Sequence, residues 1–347
     1  MIGLLDAATY AYSYGMVSAM PQHMDKETYT RILQSVSVEM AIAELIKTQY
    51  EKQIKEAIGR GGSENLEEIE KAVVSYYFDV CNAVINTLPM NVRDSSKTIL
   101  LDEFDIGNLK RILRALKAKS ISGNEGKNTD EILAECIEGN IKVEILKEIA
   151  NTDFKGAAGK IKTLGFEIDG ENLFDIENSL DINLIRKWAR EAEKVKVIEK
   201  FVKKRIDALN LKAIIRMKIL GVDADNFIKK TTSGAYLNFE ILNAINAAQI
   251  SKENIDAIPG ILAGTPYENL FVQVFEEFKK TKSIDMLELE IESTSASVAV
   301  IPNPISLEYV LTYLRKMWFD VRNIRVLLVG KKYGVNNEDI NKMMVPM

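Results

Sequence analysis

Apolar residues recur three and four positions apart along most of the chain, which is the spacing of one face of an α-helix. This pattern predicts helices at 36–58, 67–88, 104–119, 183–220, 237–247, 266–280 and 305–334. Short breaks separate them, at 59–63, 122–128, 169–170, 231–234 and 302–304. None of the breaks has the composition of a free Gly/Ser or Pro-rich linker. The predicted fold class is therefore all-α.

One stretch departs from helical spacing. Glu288, Glu290 and Glu292 alternate with apolar residues. A period of two is typical of a β-strand, so a short strand is predicted here. The three carboxylates do not form a convincing metal cluster in either a strand or a helix, and we interpret them as a solvated face.

Three segments share the pattern D-x-x-N-[L/I]-[K/R]-x-[I/L]-[I/L]. The matching polar residues are Asp105, Asn108 and Lys110, then Asp207, Asn210 and Lys212, then Asp320, Asn323 and Arg325. The aspartates lie 102 and 113 residues apart, which is the length of a small domain. The pattern therefore predicts three similar helical domains, with boundaries at 1–120, 121–222 and 223–347.

On a helix, the Asp and Asn of this motif border the apolar stripe, and the Lys or Arg points away from it. Asp and Asn are poor residues for a helix interior, and burying them costs free energy unless they are hydrogen-bonded. We therefore expect each pair to cap a neighbouring helix or to hold a turn. Asp207→Ala and Asn210→Ala should each destabilise the fold, and Lys212→Ala should do so much less. Catalytic Asp–Asn pairs are disfavoured, because no nucleophile or metal set lies nearby.

The amino-acid composition excludes several kinds of functional site. The 347 residues are 47% hydrophobic, and 45 Lys+Arg against 50 Asp+Glu give a net charge of −5, which is typical of a globular protein. Cys81 and Cys136 are too few for a disulfide framework and are interpreted as small buried thiols. His23, the sole histidine, excludes a His-rich metal site and is predicted to lie in a solvated loop.

Nucleotide binding is also disfavoured. The Gly-containing stretch at 156–160 lacks the glycine spacing of a phosphate-binding loop, and Ile161 stands where Ser or Thr would bind magnesium. No cofactor is expected. The first residues carry no basic region typical of a secretory signal. No apolar run approaches the roughly 18 residues of a spanning helix, so no direct membrane insertion is expected.

Basic residues cluster near two of the motifs. The stretch 186–205 contains nine basic residues against three acidic ones and ends in Lys203, Lys204 and Arg205. Nucleic-acid binding is one interpretation of such a cluster, but no aromatic stacking series accompanies it. A solvated helix face, or a surface for an acidic protein partner, is favoured. Lys203, Lys204 and Arg205 are the candidate partner-contact residues.

The third motif extends into D-x-x-N-I-R-x-L-x-x-G-K at 320–331. This stretch resembles the C-terminal signature of the C subunits of A-type and V-type rotary ATPases, a family that includes the d subunit of the vacuolar enzyme. The Tyr- and Ala-rich opening at 10–20 looks like the start of that family. The chain lacks the Arg that is common in this opening, and it has Trp318 and Phe319 where charged residues are more usual. These departures indicate a divergent bacterial member.

The resemblance implies an all-helical funnel of three similar domains around a pseudo-threefold axis. It implies a non-catalytic rotor subunit, lying peripherally on the cytoplasmic face of the membrane. In the family this subunit is a socket that joins the central shaft, made of the D and F subunits, to the membrane proteolipid ring. It transmits torque for ion-coupled ATP synthesis or hydrolysis.

Two other functions stay open from the residues alone. One is a helical scaffold that binds proteins or peptides and has no connection with ion transport. The other is a carboxylate-dependent enzyme that uses the motif aspartates. Genomic context would separate the rotor subunit from a general scaffold, and an activity assay would test the enzyme.

Overall fold

The computed structural model describes residues 2–62, 65–122, 127–251, 254–281, 283–296 and 305–345. Within these ranges all regular secondary structure is helical. The all-α prediction is confirmed.

Helices of eight or more residues form most of the structure. They are α1 (Ile2–Ala19), α2 (Lys26–Gln34), α3 (Val38–Leu45), α4 (Glu51–Gly61), α5 (Leu66–Thr87), α6 (Met90–Ser122), α8 (Val143–Ala150), α9 (Phe154–Thr163), α10 (Leu173–Lys194), α11 (Glu199–Ile219), α13 (Phe239–Ala247), α15 (Glu268–Thr281), α16 (Ile284–Ala296) and α17 (Leu307–Lys332). The shorter helices are α7 (Thr129–Ala134), α12 (Asp225–Thr231), α14 (Ala257–Ile261) and α18 (Asn337–Met343). No described helix is both long and apolar enough to cross a membrane.

Two of the predicted long helices are broken. The stretch predicted at 36–58 divides into α3 and α4, because the Thr48 hydroxyl bonds the Leu45 carbonyl and accepts from the Tyr50 amide, which closes a turn. The stretch predicted at 183–220 divides at Val195, whose backbone (φ −125°, ψ 87°) is not helical. Apolar spacing continues across both breaks, so the hydrophobic pattern alone did not reveal them.

The strand prediction is wrong, since its residues lie in α16. Leu287 and Ile291, four residues apart, are both buried, which is helical spacing. Glu288 and Glu292 are also four apart and share a face that meets the basic residues of α11. The alternation spans only six residues, too few to distinguish a period of two from 3.6.

The three motifs lie on α6, α11 and α17. Each of these helices packs along a second long helix: α6 along α10, α11 along α16 and α17 along α5. The first predicted domain boundary, at residue 120, falls inside α6. The motif helices also meet one another, through contacts between α11 and α17 and through a buried ion cluster.

Candidate functional site

The first Asp–Asn pair fastens the segment between α7 and α8 to α6. The carboxylate of Asp105 accepts hydrogen bonds from the amides of Asn140 (3.0 Å) and Ile141 (2.9 Å). Asn108 donates to the carbonyl oxygen of Ile137 (2.6 Å) and accepts from its amide (2.9 Å). Both polar side chains therefore satisfy backbone groups of a non-helical segment.

The second pair fastens the last residue of α12 and the segment before α13 to α11. Asp207 is fully buried and accepts from the amide of Leu237 (3.0 Å) and from the hydroxyl of Tyr267 (2.5 Å). Asn210 donates to the carbonyl oxygen of Thr231 (3.1 Å).

The third pair fastens both ends of the chain to α17. Asp320 is fully buried and accepts from the amide of Met24 (2.9 Å) and from the hydroxyl of Tyr29 (2.5 Å). Asn323 donates to the carbonyl oxygen of Val345 (2.9 Å) and accepts from its amide (2.7 Å). Met24 and Tyr29, which bind Asp320, therefore lie almost the whole chain length before α17 in the sequence.

The three motif aspartates accept hydrogen bonds from amides at equivalent positions in the chain. In each copy one accepted amide belongs to the residue directly before a helix N-cap, at the start of α8, α13 or α2. The first copy shows why a small residue precedes this contact: a Cβ at Gly139 would overlap the carboxylate of Asp105. Each aspartate thus sets where the following helix begins.

Burial shifts the titration of all three carboxyls. It raises the pKa of Asp105 to about 6, that of Asp207 to about 6 and that of Asp320 to about 7. The hydrogen bonds each carboxylate accepts act in the opposite direction, because they favour the charged form.

The basic residue of each motif lies on a different side of its helix and forms an ion pair. The pairs are Lys110 with Asp181 on α10 (2.6 Å), Lys212 with Glu292 on α16 (3.4 Å) and Arg325 with Glu70 on α5 (3.1 Å). Each basic residue therefore binds the long helix that packs along its own. The smaller effect expected for Lys212→Ala stays a prediction: its partner Glu292 is buried, but Arg315 and Arg322 also contact that carboxylate.

Substitutions in the second motif should show that its Asp and Asn contribute more to stability than its Lys. Asp207→Ala leaves the amides of Tyr236 and Leu237 and the hydroxyl of Tyr267 without their acceptor, and we expect the free energy of unfolding to fall by about 1–3 kcal/mol. Asn210→Ala should cost a similar amount. Lys212→Ala, whose side chain is 20% exposed, should cost less than either. Denaturant melts of the three variants give the order, and equal losses would contradict this division of roles.

The three candidate partner-contact residues do not form an exposed patch. Lys203 pairs with Glu199 (2.9 Å), and Lys204 pairs with Glu308 on α17 (2.8 Å). Arg205 is only 4% exposed and its guanidinium lies over the ring of Trp188. The solvated helix face expected here is therefore wrong for Arg205.

Arg205 instead belongs to a buried ion cluster where the three motif helices meet. It pairs with Glu103 of α6, which Arg315 of α17 also contacts at 2.8 Å. Arg315 pairs in turn with Glu292 of α16, and Arg322 of α17 lies 2.9 Å from the same carboxylate. We call Glu103, Arg205, Glu292 and Arg315 the axial ion cluster.

The charges of this cluster depend on one another. Burial alone would raise the pKa of Glu103, but the guanidiniums of Arg205 and Arg315 lower it to about 2. Burial likewise opposes ionisation of Glu292, and the nearby Lys212, Arg322 and Arg315 hold its pKa well below the usual value. Both glutamates are therefore charged at neutral pH and are stable there because cations surround them.

No sequence pattern predicted this cluster. Its members are single charged residues on the motif helices and on α16. Glu103 and Arg205 each lie two residues before their motif aspartate, but Arg315 lies five residues before Asp320. One feature of the sequence does point to it: Arg315 lies within an apolar stripe of its helix, between Leu311 and Phe319, and all three residues are buried. Such a signal indicates a buried ion pair without naming the partner.

Other candidate residues offer no catalytic arrangement. No group of His, Cys, Asp and Glu suited to a metal ion occurs within the described part of the chain. The stretch at 156–160 lies inside α9, so its backbone amides are engaged in the helix. His23 is partly buried rather than solvated, and burial lowers its pKa. Cys81 and Cys136 are free thiols; Cys81 is buried, with its pKa raised to about 12, and Cys136 is partly buried.

Known proteins of one family match this chain over nearly its full length. The family model described as ATP synthase (C/AC39) subunit matches residues 15–343. The C subunit of the A-type ATP synthase of Methanocaldococcus jannaschii is 25% identical, over 99% of this chain and 88% of the relative. The protein of the same name from Thermococcus kodakarensis is 23% identical, over 96% of this chain and 90% of the relative. The chain therefore belongs to the ATP synthase (C/AC39) subunit family.

Proposed function

We propose that this chain is a non-catalytic rotor subunit, a socket that links the central shaft of an ATP synthase to its membrane ring. The family match over residues 15–343 carries this proposal. In this role the shaft, made of the D and F subunits, enters the socket on one side, and the proteolipid ring binds the other. The protein lies on the cytoplasmic face and transmits torque between ion movement and ATP chemistry.

The internal recurrence of contacts supports a socket of three similar helical units around a pseudo-threefold axis. A motif helix, an Asp–Asn fastening and an ion pair to a long helix occur three times. The axial ion cluster joins α6, α11 and α17 near their N-terminal halves. A funnel results if the helices diverge from that point. A part that carries torque needs such fixed connections between its units.

Co-purification tests this function directly. The tagged full-length chain, expressed with the other subunits of its ATP synthase, should bring down the shaft subunits and the ring together. It should also be needed for ATP hydrolysis to depend on ion movement. A general protein-binding scaffold would instead leave the assembled enzyme intact when this chain is removed.

Charge-reversal variants test the candidate partner-contact residues. Lys203 and Lys204 remain proposed contacts with a rotor partner, whereas Arg205 is left out because its reversal would disrupt the axial ion cluster. Reversing the two lysines to Glu should weaken assembly most at low salt, where charge interactions are least screened. The matched control reverses Lys229 and Lys230 of α12, also two adjacent lysines paired with acids. Equal effects of the two double variants would remove Lys203 and Lys204 from the interface.

The isolated chain should not bind ATP. The described residues offer no phosphate-binding loop at 156–160, since this stretch is helical, and no carboxylate group arranged for magnesium. Calorimetry with Mg-ATP should therefore give no binding heat at micromolar protein. Micromolar affinity would contradict the non-catalytic assignment.

A further inference from the structure

In the first two copies of the motif, every partner follows the motif helix along the chain. Asp105 of α6 fastens the segment before α8, and Lys110 binds α10. Asp207 of α11 fastens the segment before α13, and Lys212 binds α16. Each of these units is therefore one continuous stretch that begins with its motif helix and ends with the long helix packed along it.

The third copy makes the same kinds of contact, but some of its partners precede the motif helix in the chain. Asn323 of α17 still binds a later residue, Val345. Asp320, however, fastens Met24 before α2, and Arg325 pairs with Glu70 of α5. The position that α8 and α13 occupy in the other units is taken here by a helix from the opposite end of the chain.

The packing of the helices follows the same order in all three units. The short helix after the motif helix packs against the next one: α7 against α8, α12 against α13, and α18 against α2. That second helix packs against a third, as α8 does against α9, α13 against α14 and α2 against α3. The unit closes with α10, α16 or α5 along its motif helix.

We propose that the third unit is assembled from both ends of the chain, with α17 and α18 supplied by the C-terminal part and α2–α5 by the N-terminal part. This inference rests on the three-unit organisation proposed above but not on the rotor function. It replaces the boundaries expected from motif spacing. The units are α6–α10, α11–α16, and α17–α18 together with α2–α5.

The two chain ends lie close together on α17. Met24 and Val345 bind Asp320 and Asn323, which are three residues apart and so about one helical turn from each other. The same two contacts in the first unit, at Ile137 and Ile141, are joined by only a few residues of chain. The fold therefore closes into a ring of units at Asp320 and Asn323, and pulling one unit away requires this closure to open.

Hydrogen exchange of the full-length protein tests the proposal. Asp320→Ala should speed amide exchange at least tenfold in α4, which has no hydrogen bond to Asp320 but belongs to its unit. Exchange in α13 should change less than twofold. The matched control is Asp207→Ala, an equally buried aspartate, which should do the reverse. If Asp320→Ala instead loosens α13 and leaves α4 unchanged, the unit runs over 223–347 and the proposal is overturned.

A measurement on the unmodified protein covers the case in which Asp320→Ala does not fold. At low denaturant, amides that open together share one opening free energy and one denaturant dependence. Amides of α4 and of the second half of α17 should fall into one such group, distinct from those of α13. Separate groups for α4 and α17, or one global opening for all helices, would overturn the proposal. Co-purification with shaft and ring would be unaffected by either result.

Discussion

Replacing Arg315 with Leu should lower the free energy of unfolding by about 3–5 kcal/mol, because the substitution removes a cation that contacts both Glu103 and Glu292 and leaves each carboxylate with fewer cations around it. Arg315 is 4% exposed and contacts both Glu103 and Glu292. It is also the member of the axial ion cluster that connects α17 to α6 and α16. Urea unfolding at pH 7 measures the loss.

The control for this variant is Arg31→Leu. Arg31 pairs with Glu27 on the surface of α2, where the two side chains are 49% and 81% exposed, and lies 3.8 Å from Glu44 of α3; such exposed pairs contribute about 0–1 kcal/mol. The pH dependence distinguishes lost charge pairing from lost packing. The ion pairing of Glu103 and Glu292 stabilises the fold above about pH 4.5 and is lost as pH falls through their lowered pKa values. The deficit of Arg315→Leu should therefore shrink below pH 4.5, and an unchanged deficit would indicate packing alone.

The sequence predicted the helical class and the motif residues, because both depend on local spacing. In the second half of α17, buried Ile324, Leu327 and Leu328 keep the helical spacing that the sequence shows. Asp207 and Asn210 stood out because polar residues beside an apolar stripe need hydrogen-bond partners. In each case the evidence lay within one or two helical turns.

The sequence could not predict which partner each residue has. Asp320 binds Met24 across almost the entire chain, and Glu103 meets both Arg205 and Arg315 from different helices. Such pairs leave no local pattern, since many acids and bases could match them equally well. The boundaries expected from motif spacing stay a prediction for the same reason: a repeat length shows how often a unit recurs, but not where along the chain it begins.

Wild-type protein should lose part of its stability as pH rises from about 4 to about 7, and Asp320 should account for much of this loss. Burial raises the pKa of Asp320 to about 7, whereas the unfolded carboxyl keeps its ordinary value of 3.8. Between these values the folded state binds a proton that the unfolded state has released, so the free energy of unfolding falls with pH. The change should amount to a few kcal/mol, at about 1.4 kcal/mol per pKa unit.

Comparison with Asp320→Asn isolates this effect, since the amide does not titrate and all other groups are shared. The difference in unfolding free energy, wild type minus variant, should be larger at pH 5 than at pH 8. Asp320 accepts from the amide of Met24 and the hydroxyl of Tyr29, and both bonds favour a charged carboxylate, but burial has the larger effect on its pKa. A difference that grows with pH would show that these two donors outweigh burial. The closure of the chain on α17 would then be tightest with Asp320 ionised, at and above neutral pH.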